Sequence, residues 1–190
     1  MAIENPPRLL SYDDYAAIDD GNRYEVYNGV LVMTPAPTRR HQVIKREIMA
    51  ALRAYELSGA GGQALDAPFD VVLDPTPPMV VYQPDVFYVT QDRMGIITEK
   101  NVQGAPDIVV EVLSPSNARQ EVVEKHEAYE KFGVKEYWIV PLEFDRIEVL
   151  TLGPDGNYGR PQLFMRGDVL RSAILPGFEL DVDGVFKVLT

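Results

Sequence analysis

A glutamate in the middle of an apolar run is the first residue in this chain that asks for a chemical reason. Ile108, Val109, Val110, Val112 and Leu113 form a β-branched-rich stretch bounded by Pro106 and Pro115, and Glu111 sits inside it. Such a run reads as a central strand buried on both faces. A carboxylate there is costly unless it is paired or binds a metal. Two readings follow: a Glu satisfied by a Lys or Arg across the sheet, or a Glu kept for chemistry. Asp85 directly follows Pro84, whose missing amide hydrogen marks a strand edge, bulge or end. Its carboxylate can point into a cleft, or it can be a turn residue with no function. Beyond the Glu111 strand, Val122, Lys125, Ala128, Tyr129 and Phe132 fall on one helical stripe. Lys125 therefore belongs to the apolar face, away from Glu124, Glu127, Glu130 and Lys131. Because this helix follows the strand directly, its apolar face should lie back on the sheet and bring the ammonium near Glu111. The alternative is a lysine whose stem packs while its charge reaches water.

Two strand-borne carboxylates and a core-facing lysine are what a divalent-metal phosphodiesterase site requires. Hard oxygen ligands hold Mg²⁺ or Mn²⁺, which keeps several waters and bridges to phosphate. The metal lowers the pKa of a bound water and neutralises charge developing at phosphorus. A lysine can orient the attacking water or stabilise the transition state. On this reading Lys125→Met should leave the fold and metal affinity largely intact and remove activity, whereas a large loss of stability would favour a structural salt bridge.

The elements that must position these groups can be read in chain order. Ser11 to Asp20 reads as a short helix, with Ser11 as N-cap and Asp13 and Asp14 at the positive end of the helix dipole. Arg23 to Met33 reads as a β-hairpin turning at Asn28-Gly29. Glu25 shares a strand face with Tyr27; it reads either as an exposed strand residue or as a further acid of the site. Thr38 to about Tyr55 reads as a helix with Ile44, Ile48, Ala51, Leu52 and Tyr55 at helical spacing. His41 lies one turn ahead of that stripe and on the same side, either as a packed, hydrogen-bonded residue or as a phosphate or water contact. Arg39, Arg40, Lys45 and Arg46 form the one dense basic patch, which meets phosphates or is a solvated face. Ser58 to Gly62 reads as a loop. Strands are expected at Phe69 to Leu73, Val80 to Val89, Lys135 to Val140 and Arg146 to Leu152. The Lys125 helix should run to Phe132 and end at Gly133. Pro161 to Thr190 offers only short strand-like pieces. The pattern is a mixed α/β domain spanning 1–190, with most strands in one central sheet.

Composition narrows the classes. A length of 190 residues suits one domain with a real core. The absence of cysteine excludes disulfides, cysteine nucleophiles and thiolate metal sites, and points to a cytoplasmic location. No signal-peptide layout and no apolar run long enough for a bilayer is present, so no membrane partner is expected. A formal net charge of −11 argues against bulk-charge binding to nucleic acid and suits a site that collects divalent cations.

The same residues carry a resemblance. Arg23-Tyr-Glu25 with Asn28-Gly29, His41, Gln83-Pro-Asp85, Gly104-Ala-Pro-Asp-Ile-Val-Val-Glu-Val-Leu-Ser-Pro-Ser116, Lys125, Tyr129 and Gly133-Val-Lys-Glu-Tyr-Trp138 resemble the Uma-type family of bacterial restriction-endonuclease-like proteins. That family belongs to the PD-(D/E)XK nuclease superfamily, and the resemblance runs from about Ser11 to Leu152. It implies a restriction-endonuclease-like core: a four-stranded mixed sheet flanked by helices, here with an N-terminal hairpin and extra C-terminal strands. It implies that Asp85 and Glu111 are the two motif acids, that Glu25 is an assisting acid, and that the backbone carbonyl of Val112 is a third metal ligand. The position two after Glu111, where lysine is expected, is Leu113, and Lys125 stands as its migrated replacement. The expectation is a Mg²⁺- or Mn²⁺-dependent endonuclease acting on DNA, with homodimerisation by analogy. Two competing readings use the same scaffold: a non-catalytic binding or assembly module, and a metal hydrolase acting on a smaller phosphoester.

Overall fold

Pro84 divides the molecule. The computed structural model describes residues 10–114 and 119–187. The single strand expected over 80–89 is two strands in different sheets, β5 (Val80–Tyr82) and β6 (Val86–Val89), broken at Gln83-Pro84-Asp85. A proline cannot donate to a ladder, so the chain leaves one sheet there and enters another. The strands expected in one sheet accordingly separate into two.

The first helix, α1 (Tyr12–Ala16), is closed by a capping box between Ser11 and Asp14. It stops short of Asp20 because Asp19 and Asp20 would oppose the negative end of its dipole. The hairpin β1 (Tyr24–Tyr27) and β2 (Val30–Met33) turns at Asn28 (φ 49°) and Gly29 (φ 83°), the left-handed pair that a type I′ turn needs. Helix α2 (Arg39–Tyr55) is capped by Thr38. It runs into a wide turn at Glu56–Ala60 and then β3 (Gln63–Asp66), where no strand was expected. The chain continues through β4 (Asp70–Asp74), the β5–β6 pair, β7 (Asn101–Gln103) and β8 (Ile108–Leu113). Helix α3 (Arg119–Phe132) crosses over to β9 (Glu136–Pro141), which lies parallel to β8. The C-terminal part gives β10 (Arg146–Thr151), β11 (Gln162–Met165), the ribbon β12 (Val169–Arg171) and β13 (Glu179–Asp181), and an unforeseen helix α4 (Val182–Lys187).

One sheet has the order β2-β1-β5-β4-β7 and the other β11-β10-β9-β8-β6-β3. The mixed four-strand set that the family resemblance implies is β9-β8-β6-β3, lengthened on one side by β10 and β11. The outer face of this sheet packs Val86, Tyr88, Val110, Val112 and Trp138 against Ile44, Ile48 and Leu52 of α2, and against α4. Its inner face meets the five-stranded sheet and Tyr129 of α3. The far side of the five-stranded sheet is covered by α1 through Tyr15. Both faces of β8 are thus buried, as its composition predicts. No helix among the described residues is long and apolar enough to cross a membrane.

The β3–β6 edge depends on close backbone approach at Gly62, where φ is +89° and an added Cβ would stand 2.6 Å from the Val89 carbonyl oxygen. Gly59 has a similar φ of +92° but open space around it. Gly62→Ala should therefore cost about 2–4 kcal/mol, from strain plus displaced backbone, and Gly59→Ala only about 1 kcal/mol. Urea unfolding of the two variants checks this, and equal losses would contradict the role given to the contact.

Candidate active site

The register of β6 against β8 decides what surrounds Glu111. Val86 pairs with Val110, so continuing the ladder by two residues sets Pro84 opposite Val112. Pro84 has no N–H to give the Val112 carbonyl, and the Asp85 side chain takes the place of a ladder partner. Asp85 Oδ2 accepts the Val112 N–H at 2.8 Å. In a strand the N–H and C=O of one residue point to the same side. The Val112 carbonyl is therefore directed toward the Asp85 side of the strand.

Glu111 faces inward with Val109, toward the five-stranded sheet and α3. It is 5% exposed, Lys125 is 5% exposed and Glu25 is 3% exposed. Lys125 Nζ donates to Glu111 Oε1 at 2.9 Å and to Glu25 Oε1 at 3.0 Å. Tyr129, one helical turn after Lys125, donates its hydroxyl to Glu111 Oε1 at 2.7 Å. Glu25 is saturated: Oε1 also accepts the Gln83 N–H at 2.7 Å, and Oε2 accepts the Tyr27 hydroxyl at 2.7 Å. The ammonium lies 5.5 Å from the Tyr82 ring centroid, within cation–π range. Of the two readings of the Glu25 strand position, the structure has the buried one. The alternation that puts Glu25 beside Tyr27 aims both into the space between the sheets.

Electrostatically, the cluster holds one ammonium for two buried carboxylates, with Asp85 beside them. Burial drives the Glu111 carboxyl upward, Lys125 offsets this only in part, and the charges of Asp85 and Glu25 add to it, leaving it at about 8. Burial disfavours the Lys125 charge, but Glu111 and Glu25 outweigh it and hold the amine above the ordinary lysine range. Burial and the neighbouring Glu111 likewise keep the Tyr129 hydroxyl protonated.

Glu25, Asp85, Glu111 and Lys125 all line one cavity of about 230 Å³, together with His41 and Lys45. Among the described residues no donor is bound to Asp85 Oδ1 or Glu111 Oε2, so each carboxylate keeps one uncommitted oxygen. No group of three or more His, Cys, Asp or Glu among the described residues is arranged to hold a metal. The donor set present is two carboxylates and a peptide carbonyl. A larger cavity of about 720 Å³ lies between β2 and α3, lined by Tyr27, Val30, Val32, Tyr82 and Phe132. Tyr27 and Tyr82 line it and also border the Glu25–Lys125 cluster.

The basic patch is dispersed. His41 Nε2 lies 3.0 Å from Asp85 Oδ2. Lys45 Nζ is 3.0 Å from Asp66 and donates to the Ala67 carbonyl at 2.7 Å. Arg40 pairs with Asp145 at 2.7 Å, and Arg39 is exposed. The sequence reading assigned no role to Tyr129, Tyr27, Gln83 or the Val112 N–H. Tyr129 carried a signal in its i,i+4 spacing from Lys125, and Tyr27 in its strand alternation with Glu25. Pro115 and Ser116 of the motif lie outside the described residues.

Comparison with known proteins adds three findings. The Uma2 family, described as "Putative restriction endonuclease", matches residues 11–183. No curated protein matches the chain in sequence. A solved structure described as a putative nuclease belonging to DUF820, from Anabaena variabilis, superposes with a TM-score of 0.77 over 95% of this chain and 99% of that one, at 15% identity. At that identity the likeness is one of fold.

Because the Glu111 carboxyl titrates above its value in an unfolded chain, its contribution to stability is complete below about pH 4.5 and is lost as pH rises through about 8. Metal-free protein should lose stability across that window, and Glu111→Gln, which cannot ionise, should flatten most of the slope. Urea unfolding at a series of pH values measures both; an unchanged slope in the variant would mean that Glu111 is ionised throughout.

Proposed function

This chain belongs to the Uma2 family, and we propose that it is a divalent-metal-dependent endonuclease hydrolysing phosphodiester bonds in DNA. The observation that carries the reading is the charge imbalance: one buried amine set against two buried carboxylates, with a third carboxylate at the same cavity. A buried excess of negative charge is costly unless a proton or a cation neutralises it. The donor chemistry fits Mg²⁺ or Mn²⁺, which take hard oxygen ligands and keep several waters. Asp85, Glu111 and the Val112 carbonyl are the groups that would hold the ion, in a PD-(D/E)XK arrangement whose lysine has moved from position 113 to Lys125. When bound, the ion would supply charge neutralisation at the scissile phosphate and a water of lowered pKa.

The chain's own residues do the rest. Lys125 carries three N–H groups, two of which are committed to Glu111 and Glu25. Among the described residues the third has no hydrogen-bond partner, and it would orient a water or a phosphate oxygen. Glu25, saturated by three donors, acts by holding that amine in place rather than by binding a metal. Tyr129 fixes the Glu111 oxygen that is not needed for the ion. Lys45 at the cavity wall, with Arg39 and Arg40 at the start of α2, would meet the phosphates of the substrate. Arg40 and Lys45 would exchange carboxylate partners for phosphate oxygens. The reading covers 1–190 as one domain, a cytoplasmic location, and two copies acting on the two strands of a duplex.

The net charge of −11 favours a second reading, a binding or assembly module on the same scaffold, because little of the surface attracts DNA. One pair of measurements separates the two. Native protein with plasmid and Mg²⁺ or Mn²⁺ should nick or linearise it, and Glu111→Ala should lower the rate about 100-fold or more. Calorimetric Mn²⁺ titration near pH 7 should release a proton, since ion binding competes with the Glu111 proton. Cleavage undiminished in Glu111→Ala would defeat the role given to Glu111. Mn²⁺ uptake without cleavage would favour the second reading.

A further inference from the structure

His41 lines the cavity and makes a contact there that the proposed chemistry has not used. It sits in the first turn of α2, its N–H bonded to the capping Thr38 hydroxyl at 3.2 Å, and the helix behind it is anchored in the core by Ile44, Ile48 and Leu52. Its side chain is 13% exposed, that of Asp85 17%, and the two meet at 3.0 Å through Nε2 and Oδ2. That same oxygen already takes the Val112 N–H at 2.8 Å. One carboxylate oxygen of Asp85 therefore accepts the Val112 N–H and has the imidazole nitrogen at 3.0 Å, and among the described residues the other has no donor. The arrangement has a cost. His41 Nδ1 is buried with no hydrogen-bond partner among the described residues. A buried polar atom without a partner is unfavourable, because it has given up its hydration for nothing. A leucine or phenylalanine would fill the space without that cost, so packing alone does not account for a histidine here.

We infer that His41 is a positioning residue, whose Nε2–H fixes Asp85 Oδ2 together with the Val112 N–H so that Oδ1 is the oxygen presented to a divalent cation. This rests on the metal-dependent reading above and adds to it a residue outside the set of direct ligands. Hydrogen bonds of this kind orient metal ligands and fix which atom binds, and their loss typically weakens affinity by about 10- to 100-fold. His41 reaches from a rigid helix, whereas Asp85 sits at a strand break. Without the imidazole the carboxylate would keep one donor and could rotate about its side-chain torsions. With His41 so placed, its Nε2–H is committed to Asp85 and is not the phosphate contact that its position in the basic patch suggests.

Mn²⁺ affinity measured by calorimetry on native protein, His41→Ala and His41→Gln tests the inference without reference to cleavage. His41→Ala should bind Mn²⁺ about 10- to 100-fold more weakly. His41→Gln, whose amide offers an N–H at similar reach, should recover most of that loss. Native binding that is unchanged in His41→Ala, or lost equally in both variants, would overturn the positioning role alone. A native protein that takes up no Mn²⁺ would overturn the metal reading itself, and this inference with it. Should the alanine variant not fold, the native metal-free protein still decides the matter: ¹⁵N spectra of labelled histidine should show a proton on His41 Nε2, and a bare Nε2 would overturn the contact.

Discussion

A single amine held between two carboxylates in the interior is the constraint on which this molecule is arranged. Lys125 comes from α3, Glu25 from the five-stranded sheet and Glu111 from the six-stranded sheet, so three different parts of the fold must meet at one point. The contacts around them are directional and leave little slack: the Gln83 N–H and the Tyr27 hydroxyl on Glu25, and the Tyr129 hydroxyl on Glu111. Buried ion pairs are weak evidence for stability, because desolvation can exceed the Coulombic gain. A core of similar volume built from apolar residues would cost less. The arrangement makes sense if the leftover negative charge is wanted, and a cavity opening on Asp85 and Glu111 is where a cation would use it.

The break at Pro84 is the second half of the same device. It ends β5 and starts β6 in the other sheet, removes a ladder donor opposite Val112, and puts Asp85 where its side chain accepts the Val112 N–H. One residue thus sets the sheet boundary and the shape of the acidic site. The helices then hold what the strands expose: α3 carries Lys125 and Tyr129 on one face, and α2 presents His41 from the opposite side of the six-stranded sheet.

Much of this was legible in the sequence because it rests on short-range periodicity. The apolar run around Glu111 announced a buried strand, and helical spacing placed Lys125 with Ala128, Tyr129 and Phe132 rather than with the neighbouring acids. Asn28-Gly29 specified its hairpin. What was not legible depends on long-range register. Glu25 looks like an ordinary strand residue, since its burial comes from a second sheet packing over it. The His41–Asp85 contact joins residues 44 positions apart, through a helix and a strand whose relative placement no local pattern encodes. The number of sheets was misread for a related reason: the residues flanking Pro84 favour strand on both sides, and only the path of the chain reveals that they pair with different partners. β3 and α4 are short elements stabilised by what they pack on.

The central claim is that the uncommitted oxygens of Asp85 and Glu111, with the Val112 carbonyl, form a site for one divalent cation. A crystal structure of the protein soaked in Mn²⁺, read by its anomalous signal, tests it most directly. The account predicts a peak in contact with all three oxygens, with the Lys125 ammonium still within hydrogen-bond reach of Glu25. A peak elsewhere, or none while both carboxylates remain open to the cavity, would contradict it.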